Sequence, residues 1–372
     1  MSRLVLLSSL AVASALLVWP ADKKKKKEEE TQTLELPKEP PAAVLAEAQR
    51  LSFQVAPLSA RGLLSQQVRN GLKWLLTESR GATIVKLRAF VAGSGDTRRV
   101  QAIVSETFTE RKLPLPALSV VQVGPLPLEG AQVALESVAV EKRVVNPNGL
   151  AFLSGQGAAV DQPLQPMLPL VQESLARLRT AMEAAGLRPD DVLRSTCYLS
   201  SLDDLAGVRQ RVYAEFPHAA LNFAQRMREP TQSLAECEAV ARLRQPPAQA
   251  LVFRNQPGLP GSPDNSEIAL VGPRRLAFTG AQLAFGFGDA DARLAFQRLA
   301  KTLEGVGASY SRVAVLNVYP LSRSVAELVR KVRPEFFDRA RPPAGTMLSF
   351  EGLPSLDASF AVEAIAVLPD SP

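Results

Sequence analysis

The residues that could do chemistry in this 372-residue chain are few, and their spacing says much. Glu236 and Glu238 flank Cys237 in an apolar run. Strand alternation puts both carboxyls on one face, where they could work as an acid/base pair or be held as a strand-edge ion pair. Glutamates recur in matching context as Glu136 and Glu363. A residue repeated in this way is expected to support structure, accepting backbone hydrogen bonds. His218 is the only histidine, which removes multi-histidine metal centres and a Ser-His-Asp triad; it is placed in an exposed loop. Ser154-Gly-Gln-Gly157 and Gly286-Phe-Gly288 are turns without the G-x-G-x-x-G spacing of a pyrophosphate cradle. No metal and no cofactor are expected. Arg323, Arg330, Lys331, Arg333, Arg339 and Arg341 form a basic stretch without interleaved aromatics, so no nucleic-acid partner is expected. Cys197 and Cys237 each fall in a strand; they are expected to be buried free thiols, although spacing leaves pairing open.

The elements that must position these residues come in threes. Arg50-Leu-Ser-Phe-Gln-Val, Gly149-Leu-Ala-Phe-Leu-Ser and Arg275-Leu-Ala-Phe-Thr-Gly are versions of one segment. Each is followed by an apolar helix face: Leu64/Val68/Leu72/Leu75, Leu168/Val171/Leu175/Leu178/Met182 and Phe296/Leu299/Leu303/Val306. Gly81, Gly186 and Gly307 then stop the helix. A β-rich run, a second helix and two strands around a Pro/Gly turn complete each unit, closing on the glutamate strand. The order is hairpin, helix, strand, helix, hairpin, an α+β unit repeated at domain-sized spacing. The domains are read as 42–143, 144–247 and 248–370, with Gln256–Pro263 an insertion.

The chain is mildly basic, +6 overall with 46% hydrophobic residues, too weak a charge for a nucleic-acid groove. Residues 1–21 carry Arg3 and the uncharged run Leu4–Ala21, the pattern of a secretory signal. The expected location is periplasmic or secreted. The alternative is a retained membrane anchor through residues 4–21, the only membrane contact expected. Residues 22–41 are Lys-rich, then Glu-rich, then Pro-containing, and read as a flexible linker.

Ser-Gly-Gln in the first hairpin of the second copy, Ala-Ala-Gly-Leu before its strand and Glu-Ala-Val-Ala at its end resemble the RidA (YjgF) family over roughly residues 33–370. The resemblance implies three tandem RidA/chorismate-mutase-like domains that form an intramolecular pseudo-trimer, hence a monomer in solution. Small-molecule sites would lie in the inter-domain clefts, and the chemistry would be enamine/imine hydrolysis by a carboxylate clamp and an activated water. The family's clamp arginine falls on Leu118, Leu221 (with Asn222 beside it) and Gly345, so the clamp is missing three times. The hairpin serine matches Val55, Ser154 and Gly280; the water-positioning glutamate matches Ala134, Glu236 and Ala361; the helix asparagine matches Gln101, Arg209 and Arg330. Only the second copy keeps two of four, Ser154 and Glu236. Degenerate deaminase sites that bind a small metabolite or partner are therefore the preferred reading, more a binder than an enzyme. The alternative is an active 2-imino-acid deaminase whose clamp has moved to Arg209 or Arg330. The deciding feature is whether either guanidinium opens into a pocket lined by Ser154 or Glu236. A gain of activity in Leu221→Arg would support the view that the cleft survives and only its anchor was lost.

Overall fold

The computed structural model describes residues 38–93, 96–259 and 264–369; the expected signal or anchor and most of the linker lie outside them. Among the described residues, no helix is long and apolar enough to cross a membrane.

The first repeat runs β1 (Ala43–Glu47), β2 (Leu51–Val55), α1 (Leu64–Glu78), β3 (Thr83–Ala92), α2 (Thr97–Glu110), β4 (Ala117–Val123) and β5 (Val133–Val140). The second runs β6 (Leu150–Val160), α3 (Met167–Ala184), β7 (Val192–Leu199), α4 (Leu205–Glu215), β8 (Ala220–Gln225) and β9 (Ser233–Arg242). The third opens on the extra strands β10 (Leu251–Arg254) and β11 (Ile268–Val271). It continues as β12 (Arg275–Thr279), β13 (Gln282–Phe285), α5 (Asp289–Gly305), β14 (Val313–Pro320), α6 (Arg323–Val332) and β15 (Ala358–Val367). The result is a mixed α/β architecture of three sheets, each backed by two helices.

The helices begin and end for local reasons. The Asp96 carboxylate caps α2 by accepting from Arg99 N–H at 3.1 Å, and Ser322 caps α6 through Val325 N–H at 3.2 Å. Past α1, α3 and α5 the backbone turns left-handed at Gly81, Gly186 and Gly307. The apolar faces read from the sequence are buried: Leu72, Leu75, Val171, Leu175, Phe296 and Leu299 lose essentially all exposure.

In the first two repeats consecutive strands do not pair as hairpins, although β10 and β11 at the opening of the third do. In the first sheet the order is β2-β5-β3-β4, with β4 parallel to β3 and β5 antiparallel between β2 and β3. The last two strands of the first and second repeats are thus separated by a third, because the α2 and α4 crossovers return the chain parallel to the strand before them, whereas β14 and β15 of the third pair directly. Opening strands are exchanged between repeats: β1 pairs with β12 of the third repeat, and β11 pairs with β6 of the second. Glu236 and Glu238 also differ from the strand-edge expectation, since β9 is interior, between β6 and β7.

Cys197 and Cys237 form a disulfide, contrary to the free-thiol expectation. They are direct partners across β7 and β9, with Cα atoms 4.1 Å apart. Only the strand register could reveal that, and spacing in the sequence does not encode it.

Candidate functional site

Three glutamates at one register position meet at the centre of the molecule. Glu136 lies opposite Arg88, Glu238 opposite Thr196, and Glu363 opposite Asn317. Period-two alternation sends all of these side chains to the inner face. Arg88 Nη2 sits 2.6 Å from Glu136 and 2.7 Å from Glu238, Lys86 Nζ 2.6 Å from Glu363, and Arg194 Nη1 3.5 Å from Glu136. Three carboxylates face three cations, all buried. Thr196, Tyr198, Asn222, Asn317, Tyr319 and Thr346 donate further hydrogen bonds to the glutamates, and Ser119 donates to Glu363. The glutamates therefore accept from side chains, not from the backbone groups expected. Burial alone would raise Glu136, but Arg88 and Arg194 outweigh it and hold its carboxyl at about 2. Glu363 is likewise held far below the usual carboxylate range, burial being overcome by Lys86 and Arg88. A fully paired cluster of this kind reads as a scaffold that holds the sheets together.

Glu236 is different. It lies two residues from Glu238 on β9, opposite Gly157 and Tyr198. Burial pushes its carboxyl up to about 7, with Glu238 adding to the rise and Arg226 opposing it. No hydrogen bond reaches the carboxyl from any described residue. The bare backbone of the irregularity in β6 makes room for it: a Cβ at Gly155 would stand 1.9 Å from Glu236 Oε1.

This carboxyl lies in a cleft between the second and third repeats. One lobe of 250 Å³ is lined by Ser154, Gly157, Glu236, Asp264, Arg330 and Met347. A second of 360 Å³ shares Glu236, Arg330 and Met347 and adds Arg226, Glu229 and Arg323. Arg330, on α6, donates from Nε to Asp264 Oδ2 at 2.8 Å, leaving both terminal nitrogens without a partner among the described residues. A guanidinium tethered by Nε still offers its terminal nitrogens to an anion. Arg226 is 3% exposed and donates to Glu229 at 2.7 Å, while its Nε has no partner. Ser154 Oγ donates to Ser266 O at 2.5 Å and accepts from Gly345 N–H at 2.9 Å, so the hydroxyl ties the two repeats together.

The other sequence candidates fall elsewhere. Leu118, Leu221 and Gly345 do occupy equivalent positions, opposite Leu87, Ser195 and Leu316. Leu221, however, does not face the cleft of Ser154 and Glu236. Leu221, Asn222 and Arg209 line a separate 680 Å³ cleft between the first and second repeats, with Leu58 and Tyr213. There the positions of Ser154 and Glu236 are Val55 and Ala134. Arginine at 221 would therefore enter a cleft without the acid. The Asn222 amide is spent on Glu136, 2.8 Å away. Leu118 is buried in the first repeat's core, and Gln101 on α2 lines none of these clefts. Gly345 cannot carry a clamp, since a Cβ there would meet Leu316 O at 2.0 Å. His218 is exposed, as expected.

Sequence reasoning missed Arg226, Asp264 and the Lys86/Arg88/Arg194 cations. For the last group a signal existed: two basic residues at i, i+2 inside the apolar run Ile84–Val91 point at a paired, buried charge.

No family model matches the chain, and no curated protein does. Solved structures similar to it include a YjgF/YER057c/UK114-family protein from Mycobacterium tuberculosis, 24% identical over 27% of this chain and 83% of that one, with a TM-score of 0.24. Another is a Rid-family protein from Yersinia pestis, 18% identical over 32% and 100%, TM-score 0.29. A third is a YjgF-family protein from Neisseria meningitidis, 16% identical over 33% and 100%, TM-score 0.25. The solved structures to which this chain is similar include several of the YjgF/Rid family.

Proposed function

We propose that the chain is a Rid-like imine hydrolase with one working cleft, between its second and third repeats, and two that have lost the chemistry. The observation that carries this reading is Arg330 opening into the same lobe as Glu236 and Ser154. Arg209, the other candidate clamp, opens into the cleft without an acid.

The residues divide the work by their chemistry. The free terminal nitrogens of Arg330 grip the substrate carboxylate in bidentate fashion. Glu236, near 7, accepts a proton from water as its oxygen adds to the imine carbon. The same carboxyl returns that proton to nitrogen to give a carbinolamine, then relays the carbinolamine O–H proton to nitrogen as the C–N bond breaks, the carbonyl forms and ammonia leaves. Ala134 and Ala361 replace the acid in the other two clefts. A second reading, binding without turnover, is favoured by the Ser154 hydroxyl, which is already engaged on both sides.

The wider architecture belongs to the same proposal: three tandem chorismate-mutase-like domains, 42–143, 144–247 and 248–370, forming a pseudo-trimer within one monomeric chain. Exchange of β1 and β11 between repeats and the shared central ion cluster support it. The chain is also proposed to be exported; the disulfide supports this, because such bonds persist in oxidising compartments.

Coupled hydrolysis of 2-iminobutyrate tests the reading. Wild type is expected to turn over, with the rate rising through an apparent pKa of about 7. Glu236→Gln is expected to abolish turnover, Arg330→Met mainly to raise KM, and Arg209→Met to change little. Turnover that survives Glu236→Gln refutes the mechanism. Calorimetric binding of a 2-oxo acid without turnover establishes the second reading.

A further inference from the structure

The three sheets are not finished alike. At equivalent positions the outer edge of β6 carries β11, with Phe152 opposite Ala269, and the outer edge of β12 carries β1, with Phe278 opposite Val44. The equivalent outer edge of β2 carries no strand among the described residues. Ladder bonds from Glu141 N to Arg50 O and from Ala56 N to Leu135 O fix the alternation along β2. Ser52 and Gln54 consequently bond to β5, and Phe53 and Val55 turn their N–H and C=O groups outward. The comparison is sharpest at one atom. Ser154 N–H donates to Glu267 O at 2.8 Å and Gly280 N–H to Ala42 O at 2.9 Å, whereas the equivalent Val55 N–H meets no described acceptor.

The chain itself explains the gap. The third repeat opens on β10 and β11, and the first on β1, but the nine residues between β5 and β6 are too few to do the same. Val145 and Asn146 turn back instead, donating to Gln49 O, and the Asn146 side chain donates to Leu51 O at 2.8 Å. A 640 Å³ groove remains along β2, walled on the far side by Leu193, Ala219 and Ala220 of the second repeat. Trp74, Arg80, Arg143, Arg242 and Glu78 line it as well. None of those three arginines forms an ion pair among the described residues, and the groove's other acid, Glu141, accepts from Ser52 at 2.7 Å.

We propose that this groove binds an extended peptide of a partner protein as an added antiparallel strand on β2, with small apolar residues along the strand and a carboxylate among the arginines. Strand addition of this kind takes its affinity from main-chain hydrogen bonds and its selectivity from alternate side chains. The strands filling the equivalent positions show the required composition: Ala43-Val-Leu-Ala-Glu47 and Ile268-Ala-Leu-Val271.

The probe is the acetylated peptide Ala-Val-Leu-Ala-Glu, added to the whole protein. Binding is expected to shift Trp74 emission and to slow hydrogen exchange at the Phe53 and Val55 amides. A peptide N-methylated at alternate residues should bind at least about tenfold more weakly, the loss of one or two hydrogen bonds. Val55→Pro removes only an outward donor and should weaken binding similarly while the fold persists. Unchanged exchange at Phe53 and Val55, or equal binding of the N-methylated peptide, overturns the proposal. So does dimerisation in light scattering that buries the same amides, which would make a second copy the occupant.

Discussion

Arg88 is the side chain whose loss should cost most. It is 5% exposed and serves two carboxylates from different repeats, Glu136 at 2.6 Å and Glu238 at 2.7 Å. In Arg88→Met both are left in a desolvated centre with one fewer cation. Glu136 supplies an independent measure of the effect. Its carboxyl stands at about 2 in the folded protein against an ordinary 4.5, worth roughly 3 kcal/mol at pH 7 at about 1.4 kcal/mol per unit. Breaking a buried ion pair by removing one partner costs about 3–5 kcal/mol, in agreement. Total stabilities are only about 5–15 kcal/mol, so the variant should be severely weakened but measurable. The sign with pH follows from the depressed value. The stabilisation is complete above the unfolded value of 4.5 and is lost as pH falls toward 2. Urea unfolding followed by near-ultraviolet circular dichroism at pH 7 and pH 3 reads both effects. The penalty of Arg88→Met should shrink by more than half at pH 3, and adding Glu136→Gln with Glu238→Gln should recover much of it at pH 7. A penalty under about 1 kcal/mol at pH 7, or one equal at both pH values, would refute the account.

Gly345→Ala should lower the melting temperature sharply and Gly345→Arg should fail to accumulate folded, because any side chain there meets Leu316 O; thermal melts check both. Cys197→Ala with Cys237→Ala should cost about 3–4 kcal/mol by the chain-entropy argument for a 40-residue separation, read by denaturant unfolding beside wild type. Glu236→Gln should stabilise the protein at pH 8 but not at pH 4. A carboxyl raised to about 7 penalises the folded state once it ionises, a penalty that grows from pH 4.5 upward and is complete above 7. Light scattering should show one chain per particle near neutral pH, because in the proposed pseudo-trimer the three repeats cover one another's faces.

What the sequence determined by itself was everything carried by short-range periodicity. The six helix faces, the glycine stops and the threefold repeat are local patterns, and each was legible because 3.6-residue and two-residue periods and left-handed glycine turns leave a mark within a dozen residues. Equivalence of Leu118, Leu221 and Gly345 was legible for the same reason, since it needs only the order of segments. What those residues face was not. Leu221 and Glu236 sit in one repeat yet line different clefts, because each cleft is assembled across a boundary between repeats. The pairing of Cys197 with Cys237 depends on register between β7 and β9, and β2's open edge on which repeat lends a strand to which. The central cluster shows the division most clearly. Alternation along each strand puts Arg88 and Glu136 on one face, but only the meeting of three sheets brings Glu238 to the same guanidinium. Burial then decides the outcome for each carboxyl: with cations beside it Glu136 falls to about 2, and where desolvation prevails over Arg226, Glu236 rises to about 7.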